Sequence, residues 1–140
     1  MKNSLNLLFC LAIPLLVKGQ SFSREQIVGT WTAKEVLFTE DQTSMEREIV
    51  EKTKRALINS KFIFRHNGLF HLQLPGNAPA EFHELQSMNN KMWHIKSKER
   101  TVFVGSLDED LMSIHVQSSK GAYYFLIRDS PLMLRMEKSR

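Results

Sequence analysis

Apolar residues in this chain follow two rhythms, preceded by one solid block. The block covers residues 5–17 and is broken only by Asn6 and Pro14. After it, alternation with a period of two dominates, the spacing that turns one face of a β-strand toward a core. It opens over residues 30–38, where Trp31, Ala33, Glu35 and Leu37 are predicted to share a face. A helical period then intervenes. Met45, Ile49, Val50, Thr53, Ala56 and Leu57 form one stripe over residues 43–59, entered through the capping box Thr43-Ser44-Met45-Glu46. Glu48 with Lys52 and Glu51 with Arg55 stand four apart on the opposite side, where such pairs support a helix.

Everything after that helix reads as strand and turn. Phe62-Ile63-Phe64 and Leu69-Phe70-His71-Leu72 flank His66-Asn67-Gly68, and Asn-Gly is a strong hairpin signal. Further short runs lie near residues 80–87, 91–97, 101–107, 111–117, 121–128 and 131–138, separated by polar breaks such as Asn89-Asn90 and Asp129-Ser130-Pro131. Strands recurring at this spacing predict an antiparallel meander. An open meander would leave two bare edges, and closure removes them. The expected fold is therefore all-β: an antiparallel up-and-down β-barrel of about eight or nine strands, with one helix inserted after the first strand. A single helical turn is expected just before it, over residues 23–28.

The apolar block changes the picture of where the protein works. Met1-Lys2-Asn3 gives a positive start, the block follows, and Val17-Lys18-Gly19 offers small side chains for cleavage. These are the parts of a secretory signal in order. Thirteen residues at about 1.5 Å each are too short to span about 30 Å of hydrocarbon, so stable membrane insertion is not expected. Residues 1–19 are read as a cleavable leader and 20–140 as one domain, exported to the periplasm or secreted. The only cysteine, Cys10, leaves with the leader, which removes disulfides, thiolate nucleophiles and Cys-ligated zinc from consideration. Lys2 and Lys18 leave too, so the formal charge falls from +4 to +2. No one-sided basic patch with aromatic partners remains for nucleic acid.

Gly29-Thr30-Trp31, directly after the short helical turn, resembles the Gly-x-Trp signature on the first strand of lipocalins. The meander over residues 23–138 is similar to theirs, as it is to the small exported lipocalin-like domains of bacteria. That resemblance implies a calycin-type barrel in which Gly29 and Trp31 form the floor and an arginine near the last strand covers the indole. Arg135 is the better candidate and Arg128 the second. The helix departs from the pattern: lipocalins carry theirs after the barrel, and its position here is closer to the lid of intracellular fatty-acid-binding proteins. The resemblance implies a cavity for a small hydrophobic or amphipathic ligand, with Trp31, Phe64, Phe70 and Trp93 expected around it. A barrel of this size is either filled by its own side chains or holds one small ligand.

Catalytic chemistry finds little purchase. His71, His94 and His115 fall on predicted strands, but each alternates with apolar neighbours and is expected on the outer face, away from a shared metal. His83-Glu84 lacks the second histidine of a zincin. Asp108-Glu109-Asp110 and the Lys96, Lys98, Arg100 group read as solvated hairpin tips. No nucleophile elbow occurs, and neither catalytic residues, metal nor cofactor is expected. The alternatives are a filled barrel acting as a protein-interaction or assembly module, and a metal-assisted hydrolase.

Overall fold

A computed structural model describes residues 22–39 and 46–140. The predicted leader and residues 43–45 of the predicted capping box lie outside them. A one-turn helix α1 (Arg24–Ile27) leads into β1 (Gly29–Phe38), followed by helix α2 (Arg47–Leu57). Strands β2 (Lys61–Phe64), β3 (Leu69–Gln73), β4 (Lys91–Lys96), β5 (Thr101–Gly105), β6 (Asp110–Ser119), β7 (Ala122–Ile127) and β8 (Leu132–Lys138) complete the chain. Each strand pairs antiparallel with the next, and β8 returns to β1, closing an eight-strand barrel.

Alternation builds the interior. Phe62 and Phe64, Phe70 and Leu72, Val102 and Val104, Ile114 and Val116, and Leu134 and Met136 are all buried. The β2–β3 turn forms as its sequence demands: Gly68 takes a positive φ of 92°, its N–H donates to Arg65 O, and Asn67 Oδ1 accepts from Leu69 N–H.

Two local expectations are corrected. The run at 80–87 is a 3-10 helix, Ala80–Met88, which leaves eight strands. Phe82, Leu85 and Met88 recur every third residue, the period of that helix, and all three pack against the core. On β1 the register slips between Ala33 and Glu35. That bulge reverses the phase, so Val36 is buried, whereas Glu35 and Leu37 do not share the inward face of Trp31.

Helix α2 buries Val50, Thr53, Ala56 and Leu57, but Ile49 is half exposed, off the buried stripe. After α2, Ala33 N–H donates to Ser60 O and Asn59 N–H donates to Ala33 O, which tie the helix exit to the bulge. No helix among the described residues is long and apolar enough to cross a membrane.

Candidate functional site

The barrel has two unlike ends. At one end, the floor, α1 and the segment before it are locked in by buried rings. Trp31 is 1% exposed; its Nε1–H donates to Ile27 O at 2.8 Å, and its ring meets Tyr123 at 5.3 Å and Phe125 at 5.2 Å. Phe22 is as deeply buried. Its N–H donates to Ser97 Oγ at 3.1 Å, the same hydroxyl donates back to Phe22 O, and the Arg100 guanidinium lies 4.8 Å from the ring. Arg100 is thus part of the floor rather than of a solvated tip, and its Nε–H donates to Val116 O at 2.9 Å.

The cation over Trp31 is not the expected one. Arg135 alternates with buried Leu134 and Met136, which turns it to the outside, where it pairs with Glu35 at 3.1 Å and Glu137 at 3.3 Å. Those carboxylates, Glu35 foremost, hold its guanidinium above the ordinary arginine range. Lys138 takes the place over the indole, with Nζ 5.6 Å from the ring and donating to Gln26 O at 3.0 Å. Gly29 makes room for it: at φ +137° a Cβ there would stand 2.7 Å from Lys138 Cε.

Phe22 and Lys138 escaped the sequence reading, yet Phe22 carried a signal. It stands just before the cap residue Ser23 and five residues ahead of Ile27, the spacing of a hydrophobic staple, and both belong to the core.

Trp31, Phe64, Phe70 and Trp93 do come together, as packing. Phe64 touches Phe70 at 5.1 Å and Trp93 at 5.4 Å, and Phe125 links it at 6.2 Å to the Trp31 contact. Trp93 Nε1–H donates to Arg65 O, and Arg24 lies 4.4 Å from its ring. Rings at these separations fill the space between them.

The histidines lie apart on the outer surface. His94 stacks on Phe103 at 5.2 Å, while His71 and His115 face away from buried Phe70, Leu72, Ile114 and Val116.

At the opposite end, the mouth, a groove of about 490 Å³ runs between α2 and β1. Lys34, Glu35, Val36 and Leu37 line one wall, and Glu51, Lys54, Arg55 and Ile58 the other. Comparison with family models, curated proteins and solved structures gave no match. The groove's own chemistry is therefore what describes it. Val36, Leu37 and Ile58 make it apolar; Lys34, Lys54, Arg55 and Glu51 add charge, while Glu35 is engaged by Arg135. Cations outweigh anions along the wall.

A strap holds α2 over the mouth. Lys52 Nζ lies 2.8 Å from Glu81 on the 3-10 helix and 3.3 Å from Glu48. The bond to Lys52 holds the Glu81 carboxyl below its ordinary range, and the bonds to Glu81 and then Glu48 hold the ammonium above its own.

Proposed function

We propose that this chain is an exported, non-enzymatic, lipocalin-like protein that binds a small hydrophobic or amphipathic ligand, and that the ligand lies in the β1–α2 groove. The observation that carries this reading is the groove's composition: the apolar Val36, Leu37 and Ile58 together with the cations Lys34, Lys54 and Arg55. A volume of about 490 Å³ is in the range of small-molecule sites, which combine apolar walls with a few placed polar groups. An aliphatic chain ending in a carboxylate matches both features. The aromatic interior supplies the rigid wall on which the groove is built.

Titration of a fluorescent long-chain fatty acid into the purified protein tests this. Saturable binding is expected, weakened at least tenfold by Lys54→Glu with Arg55→Glu. Absence of saturable binding across fatty acids and hydrophobic dyes rules the ligand-carrier reading out. Export is checked separately by sequencing the amino terminus of protein recovered outside the cytoplasm, with cleavage after Gly19 expected.

A further inference from the structure

The groove has a second property, which belongs to its backbone. On one side β1 is paired with β8 as far as Phe38. On the other side it pairs with β2 only through Thr32, and Ala33 is satisfied by Ser60 and Asn59. Among the described residues, no strand continues that ladder along Lys34–Phe38.

Alternation identifies which groups this leaves at the edge. Thr39 N–H donates to Pro131 O across the β8 side, so Leu37 and Glu35 also face β8. Val36 and Phe38 therefore point their N–H and C=O groups away from β8, on the side where β1 has no partner strand among the described residues, and Val36 lines the groove there. Among the described residues, the bulge and Lys34 blunt the lower end of this edge. Above them, α2 stands across the groove from the edge. A helix in that position obstructs a second sheet, and the groove of about 490 Å³ between the two is the space an added strand would enter, about 4.8 Å from its neighbour.

We propose that the β1–α2 groove also accepts an extended peptide as an added strand, paired with Val36 and Phe38, and that the peptide alternates apolar with acidic residues. The proposal rests on the groove being the binding site and adds a second class of ligand to it. Backbone pairing along an open edge supplies affinity, and side-chain pockets supply selection. Here Leu37 and Ile58 select apolar side chains, while Lys34, Lys54 and Arg55 select carboxylates. A peptide and a fatty acid then occupy the same volume and exclude one another.

The probe is a fluorescein-labelled, end-blocked hexapeptide alternating valine with aspartate, titrated into the exported protein. Saturable binding is expected, together with displacement by the fatty acid and at least tenfold slower hydrogen exchange at the Val36 and Phe38 amides. Replacing aspartate by lysine in the probe should weaken binding at least tenfold. The Lys54→Glu, Arg55→Glu variant should do the same with its far-ultraviolet circular dichroism unchanged. N-methylation of the valines should abolish binding, since it removes the donors of the added strand. Equal affinity for the N-methylated probe overturns the proposal, as does failure of the parent probe to bind a protein that still takes up the fatty acid. Failure of both ligands overturns the groove reading itself.

Discussion

Floor and mouth close the same barrel by different means. At the floor, Phe22, Ile27 and Trp31 are almost wholly buried, and the indole N–H and both backbone polar groups of Phe22 have partners. At the mouth, α2 and the 3-10 helix are joined by a solvent-exposed ion pair, Ile49 is half exposed, and Phe82, Leu85 and Met88 are only partly buried. Burial of large rings contributes kilocalories per side chain, whereas exposed ion pairs contribute little. The buried rings are thereby concentrated at one end, and the more exposed end is the one expected to open locally.

The largest test of this contrast is Trp31→Ala, expected to cost about 3–5 kcal/mol in urea unfolding, with Phe22→Ala close behind at about 3 kcal/mol. Phe82→Ala at the mouth should cost about 1 kcal/mol. Similar losses at both ends would erase the distinction. A second comparison separates two cations. Lys138→Met should lose about 0.5–1 kcal/mol and shift the tryptophan emission, while Arg135→Met leaves the emission unchanged.

Ser60 tests the junction between the two regions. Its hydroxyl is fully buried with no hydrogen-bond partner among the described residues. Ser60→Ala should therefore be neutral or stabilising by up to about 1 kcal/mol, read from the urea midpoint.

The smallest effect is acid release of the mouth. Glu81 has a folded pKa below its ordinary 4.5, so its contribution is present above that value and is lost as pH falls through the lowered one. Amide exchange in α2, corrected for its intrinsic acid dependence, should rise over that window relative to β1. Glu81→Gln should remove the pH dependence, and equal acceleration in the two elements would mean that the strap has no local role.

Most of the barrel was legible because period-two burial survives in short strands. Phe62 and Phe64, or Val102 and Val104, declare their face without help from the rest of the chain. The β1 bulge was not legible, because a one-residue slip leaves both phases plausible: the odd series contains Leu37 and the even series Val36. Residues 80–87 misled because an apolar run between polar breaks has the outline of one more strand, although Phe82, Leu85 and Met88 stand three apart, the period of a 3-10 helix and not of alternation. The site fared worse. The same alternation that set the histidines outside also sets Arg135 outside, between Leu134 and Met136, and this outranked its likeness to a floor arginine. The groove joins residues near 36 to residues near 55 across a break in β1 pairing, and strand pattern alone carries no trace of such a break.

The seam between β1 and β8 has a kinetic consequence. Its register joins Trp31 to Lys138 and Phe38 to Leu132, so the first strand has its partner at the far end of the domain. Contacts so distant in sequence are slow to form, because a long loop must close before any bond is gained. A chain emerging amino-terminus first holds β1 with an unsatisfied edge until β8 follows. Premature pairing with another chain is the hazard of that interval, and the rate of barrel closure should fall most for substitutions along this one seam.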